Sequence, residues 1–101
     1  QFRYWSGASG RRYLHKIMPI ELAPDFRHCS LVLVAVKEDG AHEPVWIGAA
    51  GPGAAMAIAA AKAVGATQAH VHLLTDSAAA ARLVADDITA ALRGSTDEIA
   101  A

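Results

Sequence analysis

With 101 residues, of which 53% are hydrophobic and 19% charged, the chain is long enough for one folded domain with a real core and too apolar for intrinsic disorder. A formal net charge of −1 counts against nucleic-acid binding by bulk electrostatics, and the lone cysteine, Cys29, excludes an internal disulfide and a cysteine metal cluster. Aromatics make up 6% and alanine occurs 24 times, so the core has to be built from Ala, Val, Leu and Ile.

In chain order, Phe2–Ser6 reads as an extended strand and Gly7-Ala8-Ser9-Gly10 as a turn, where Gly and Ser supply positive φ and local hydrogen bonds. Arg11–Ile20 returns as a strand with Tyr13, His15 and Ile17 on one face and Leu14, Lys16 and Met18 on the other, closing a hairpin. Pro19 and Pro24 bracket a loop. Cys29–Lys37 is β-branched and nearly all apolar, the pattern of a strand buried on both faces. A polar turn over 38–43 leads to a return strand, Pro44–Ala49, and a second hairpin. From Gly53 to Val64 every residue except Lys62 is small or apolar, with Pro52 placed to start a helix and Gly65 to end it. The expectation is a helix buried over most of its circumference. Gln68–Thr75 alternates as a strand. Asp76 or Ser77 then caps a last helix that runs to Arg93 and stops at Gly94. Its apolar stripe is Ala80, Ala81, Val84, Ile88, Ala91 and Leu92, opposite a wet face of Arg82, Asp86, Thr89 and Arg93.

This order predicts an α/β (α+β) fold in which two N-terminal hairpins precede helix–strand–helix, one sheet carrying both helices on one face. Residues 1–94 form a single compact domain and 95–101 a frayed tail. The apolar stretch Val45–Ala61 is broken by Gly48, Gly51, Pro52 and Gly53, so no membrane span is expected. One unpaired cysteine fits a reducing, cytoplasmic setting.

Charge is unevenly placed. Residues 1–20 carry Arg3, Arg11, Arg12 and Lys16 without an acid, a balance of +4, whereas the remaining 81 hold five bases and ten acids, −5. Tyr4, Trp5 and Tyr13 lie among those bases. Stacking planes beside phosphate partners suit single-stranded nucleic acid, and Trp, Tyr and Arg are equally the residues of protein–protein hot spots. Ser6, Ser9 and the turn amides would add a small anion-binding nest. The competing reading packs Trp5 and Tyr13 on the core and leaves the arginines to solvate an edge hairpin.

Other constellations are weighed against plainer roles. The loop Gly48-Ala49-Ala50-Gly51-Pro52-Gly53 joins a strand to a helix start, so Gly48, Gly51 and Gly53 form a candidate anion loop. It lacks a Lys-Ser/Thr pair, and a tight turn explains its glycines. His70 and His72 are two apart on a strand and point the same way, as two metal ligands would; a third would have to come from His15, His28 or His42, none of them at metal-site spacing, so no metal or cofactor is expected. With helices on the opposite face, His70 and His72 would occupy the wetter side. His28 and Cys29 are adjacent and point apart, so Cys29 reads as a small apolar filler. Asp86 and Asp87 read as structural.

The stretch Ser30-Leu31-Val32 … Val45-Trp46-Ile47-Gly48 is similar to the paired strands of GIY-YIG nuclease domains, with Trp-Ile-Gly where Tyr-Ile-Gly is usual. The resemblance covers about residues 29–65. Such nucleases need an arginine on the next helix and a metal-binding glutamate further on. Here the helix offers Lys62, and the last helix offers Asp86 and Asp87, so the resemblance implies a catalytically dead relative. More loosely, Y-W-S-G-x-S-G-R-R-Y followed by H-V-H-L-L resembles small bacterial α/β domains, which implies no activity.

The reading is a small binding module without catalysis, whose hairpin residues Tyr4, Trp5, Ser6, Ser9, Arg11, Arg12 and Tyr13 contact a protein or an anionic (phosphate or nucleic-acid) partner. One alternative is a hydrolase acting on a phosphate-containing substrate at Gly48–Gly53, with His70 or His72 as acid/base. Another is a structural subunit whose alanine-rich faces drive homo-oligomerisation.

Overall fold

Alternation along a strand decides which face each side chain serves, and the first hairpin divides its residues cleanly. The computed structural model describes residues 1–100, with side chains described for 1–94. Strands β1 (Phe2–Ser6) and β2 (Arg12–Pro19) pair antiparallel from Phe2↔Lys16 to Ser6↔Arg12. Arg3, Trp5, Tyr13, His15 and Ile17 therefore share one face, and Phe2, Tyr4, Leu14, Lys16 and Met18 the other. A 3-10 turn, Ile20–Asp25, follows. The second hairpin joins β3 (Ser30–Val36) to β4 (His42–Ala49), with a register slip that leaves Val45 unmatched. Helix α1 (Ala55–Ala63) crosses to β5 (Gln68–His72), and α2 (Ala78–Ala100) closes the chain.

β5 inserts between the two hairpins, giving one five-stranded antiparallel sheet in the order β1-β2-β5-β3-β4. The sheet curls so far that Arg3 on one edge strand hydrogen-bonds His42 on the other, at 2.8 Å. The α+β class expected from the sequence is thus present, with both hairpins and the helix–strand–helix order.

One detail is corrected. The two helices lie on opposite faces, because β3 is apolar on both. Leu31 and Leu33, with Ala69 and Val71 of β5, pack against Ile58 and Ala61 of α1 and Ile20 of the 3-10 turn. Val32 and Val34, with Trp5, pack against Val84 and Ile88 of α2. All four β3 residues are fully buried, which one layer of helix cannot achieve, and each is worth about 1.5–3 kcal/mol. The helix expected to be buried nearly all round is also corrected. Only Ile58 and Ala61 of α1 are buried and Met56 is 86% exposed, so α1 is a surface helix. Gly65 ends it with φ +102°, as expected.

α2 begins at a Ser77 cap, whose hydroxyl accepts from the Ala80 N–H at 3.0 Å. It passes through Gly94 without stopping, and the tail expected at 95–101 falls where side chains lie outside the described residues. The helix is pinned to the first hairpin by one carboxylate. Asp87 accepts from the Ser9 N–H at 2.9 Å, the Ser9 hydroxyl at 2.5 Å and the Tyr13 hydroxyl at 2.7 Å. Its own backbone carbonyl accepts from the Ala8 N–H at 3.0 Å. Gly7 is what admits it, since a Cβ there would overlap the Asp87 carboxylate.

Gly7→Ala should therefore destabilise the fold by about 1–3 kcal/mol, a fall in Tm of at least about 4 °C. Gly53→Ala, whose added methyl meets nothing within 4 Å, is the control and should leave Tm unchanged. Equal melting curves for the two variants would show that the carboxylate is not held as described.

Candidate functional site

Building the hairpin from its register separates the predicted site residues onto three surfaces. On the outer face Tyr4 and Arg12 are exposed, and the Arg12 guanidinium lies over the Tyr4 ring, 4.2 Å from its centroid. At the turn, Ser9, Arg11 and Tyr13 line a shallow groove completed by Thr75, Leu83, Val84 and Asp87. Ser6 is exposed at the end of β1. Trp5 and Tyr13 turn inward, as the competing packing reading holds. Trp5 is 6% exposed, and Tyr13 is half-buried.

The inner face carries four of the five histidines. His15 and His70 are fully buried, His72 is 6% exposed and His42 is half-buried. The wetter side expected for His70 and His72 is corrected here: α2 and the curl of the sheet cover that face. The polar rings survive burial because each has partners. Trp5 Nε1–H donates to His70 Nδ1 at 3.0 Å; an indole only donates, so Nδ1 accepts and Nε2 holds the proton, which it gives to Gln68 Oε1 at 2.9 Å. His15 Nδ1–H donates to the Tyr13 carbonyl at 2.9 Å and His72 Nδ1–H to the Leu14 carbonyl at 2.7 Å. His15 stacks near His72, with ring centroids 5.2 Å apart, and Tyr13 meets His72 edge-on at 5.6 Å. No buried side-chain polar atom lacks a partner among the described residues.

These contacts decide several chemical readings. His70 uses both ring nitrogens, so it has no lone pair for a metal. No three His, Cys, Asp or Glu side chains gather in metal-binding geometry among the described residues. Ser30 hydroxyl lies 3.5 Å from His15 Nε2, a serine–histidine pair in outline, but Ser30 is fully buried and no substrate reaches it. The candidate anion loop is reduced. Gly48 belongs to β4, where its missing Cβ makes room for the Trp46 ring, and the Ala50 and Ala54 amides already donate to the Cys29 and Gly51 carbonyls. The loop also leads into α1, on the face of the sheet opposite His70 and His72, so the structure does not bring the two together. Cys29 is a buried filler, its thiol pushed up by burial and donating to the Arg27 carbonyl at 3.1 Å.

In sequence Arg3 stands out only as part of the basic arm, His15 and His42 only as candidate third metal ligands and Gln68 not at all; the structure brings all four into this network. The signal was the shared parity of His70 and His72, but its completion needs the β2–β5 register. The chain matches no family model, no curated protein and no solved structure.

Electrostatically, His15 and His70 of the inner face are neutral at pH 7, and Arg3 carries its charge beside them. Burial drives His15 and His70 down to about 4, helped at His15 by His72 and at His70 by His42, His15 and Arg3. Asp87 is held below its ordinary value by its hydrogen bonds from Ser9 and then Tyr13, and burial followed by the Asp87 bond raises the Tyr13 phenol.

A folded-state value below the unfolded 6.5 means that the unfolded chain binds more protons. Stability is then full above pH 6.5 and is lost as pH falls towards 4, at up to about 1.4 kcal/mol per pH unit for each histidine. The Asp87 contribution disappears only below about 3.8, so the two windows separate. Thermal melts across this range should show Tm falling between pH 6.5 and 4, with a slope roughly halved in His70→Gln. An unchanged slope in that variant would place the acid sensitivity elsewhere.

Proposed function

We propose that the chain is a non-catalytic binding module that docks a protein partner on the outer face of its first hairpin. What carries the reading is an apolar surface that α1 leaves bare. α1 and the 3-10 turn cover the β3–β5 side of that face, whereas Phe2, Tyr4, Leu73 and Leu74 remain 61%, 49%, 48% and 79% exposed. Phe2, Leu14, Val71, Leu73 and Leu74 line a groove of about 150 Å³, large enough for one apolar side chain, with Lys16 at its edge.

The rim selects the partner. Lys16 lines the groove and Arg12 stands over Tyr4 on the same face, and neither makes an ion pair among the described residues. An apolar centre with an unpaired basic rim complements a segment that offers a hydrophobic side chain flanked by Asp or Glu. A protein suits it better than a nucleic acid, because the groove is mostly aliphatic and bases stack on rings. Of the residues singled out from sequence, Tyr4 and Arg12 serve this surface, while Trp5 and Tyr13 support it from behind.

Selection of a displayed random-peptide library on the immobilised protein tests this. Enriched peptides should carry a large apolar residue beside acidic ones and should bind Leu74→Asp at least about tenfold more weakly, a loss of about 1.4 kcal/mol. Binding should also weaken with salt. Enrichment equal on wild type and Leu74→Asp would overturn the reading, as would binding of short single-stranded oligonucleotides in place of peptides. A dimeric mass by light scattering that reverts to monomer in Leu74→Asp would instead make a second copy the occupant.

A further inference from the structure

At the end of the concave face away from the hairpin turn, four side chains close a ring of contacts. Arg3 Nη1–H donates to His42 Nδ1 at 2.8 Å, the His42 ring meets His70 edge-on with centroids 5.4 Å apart, and Trp5 donates to His70. The Arg3 guanidinium lies over the Trp5 ring, 4.4 Å from its centroid, which completes the circuit. Gln68 joins through His70.

Donor and acceptor roles within this ring are forced. A guanidinium has no lone pair to offer, so His42 Nδ1 accepts and His42 Nε2 carries the hydrogen. Gln68 Oε1 accepts from His70, which leaves the Gln68 amide N–H groups unspent. The remaining Arg3 N–H groups are likewise free of acceptors among the described residues. Every group that the ring has left over is thus a donor, and one of the three bearers carries a full charge. Arg3, His42 and Gln68 are all half-buried, so these donors reach solvent at a partly desolvated site. His15 and His70 are neutral, and Glu43, next to His42 on β4, faces the other way and pairs with Lys37 at 2.6 Å. No carboxylate of the described residues compensates Arg3.

We propose that Arg3, His42 and Gln68 form a binding site for a small oxyanion, a phosphate or a carboxylate group, on the concave face of the sheet. An arginine fixed by a ring below it and a histidine beside it loses little freedom on binding, and spare donors linked through one ring of contacts to a fixed guanidinium match oxygen acceptors. This site goes beyond the protein-docking reading and lies on the other face of the hairpin, so either proposal stands or fails alone.

The test is a titration with inorganic phosphate and, separately, with acetate, at constant ionic strength and neutral pH. Trp46→Phe makes Trp5 the sole tryptophan, so its emission reports on the ring beneath Arg3. The ¹⁵N shift of His42 Nε2 gives a second signal. One of the two anions should produce saturable changes in both signals, with Kd of about 1 mM. The anion that binds more tightly names the ligand chemistry. Arg3→Met, which keeps an apolar stem over Trp5, should weaken binding at least about tenfold. Gln68→Glu keeps an oxygen for His70 but turns the outward amide into a carboxylate. It should abolish binding while the melting curve at neutral pH stays cooperative. Unresponsive Trp5 and His42 signals with both anions would overturn the proposal, and so would equal responses in wild type and a folded Gln68→Glu.

Discussion

The carboxylate of Asp87 is the contact on which the inner half of the molecule depends. It gathers a backbone N–H and two hydroxyls from a turn and a strand almost eighty residues away, and so fixes α2 across the mouth of the curled sheet. Hydrogen bonds to a charged acceptor are among the stronger ones, and all three converge on one side chain. Without α2 in that position, Val84 and Ile88 would not meet Val32, Val34 and Trp5, and the inner face would be open to water. The burial of the histidines, the depressed basicity of His15 and His70 and the edge contact of Tyr13 with His72 all follow from this closure. A tyrosine that donates to Asp87 and a histidine that receives its ring edge tie the anchor to the cluster directly.

Much of the element order was legible because it is set by local rules. Period-two alternation in 12–18, the two-sided apolar run of β3, the Ser77 cap and the positive φ of Gly65 each express themselves within a few residues. The placement of the helices was not local. Two helical segments, one nearly all apolar and one amphipathic, do not say which side of a sheet each will cover, and that depends on the crossover of α1 and on β5 entering between the hairpins. The same gap hid the character of the histidines. His70 and His72 share a face by parity alone, but their burial relies on the Leu14 carbonyl and on Trp5, both brought by strands distant in sequence. Gly48 shows the converse error: a glycine near a helix start suggested an anion cradle, whereas its missing Cβ serves the Trp46 ring inside β4. Of the hairpin residues, the contrast between Tyr4 and Trp5 follows from parity once the inner face is known. Which parity faces inward could be read only from the covering helix.

The hairpin is the basic element of a mildly acidic chain, and its charges go to both faces. Arg12 and Lys16 lie outside beside exposed apolar side chains; Arg3 lies inside against Trp5 and His42. Each arginine with an aromatic neighbour is restrained by it, Arg12 by Tyr4 and Arg3 by Trp5, in positions where the ring faces favour a cation. The two differ in surroundings. Arg12 is exposed and screened, so its effect is a rim effect that steers encounter. Arg3 borders a neutral, water-poor cluster, where a fixed charge acts over a longer range on whatever enters.

That neutrality is itself a product of the fold. A histidine near a guanidinium would ordinarily be one of several groups sharing positive charge, and mutual repulsion would loosen the cluster. Burial instead removes the proton from His15 and His70, and His42 accepts from Arg3 and so helps to hold it in place. The ring of contacts thereby concentrates its charge on Arg3 and leaves only donors unspent. His15 and His70, neutral in the fold and more readily protonated once it opens, are the groups through which acid destabilises the inner face, and the oxyanion site would be lost with the curl that assembles it.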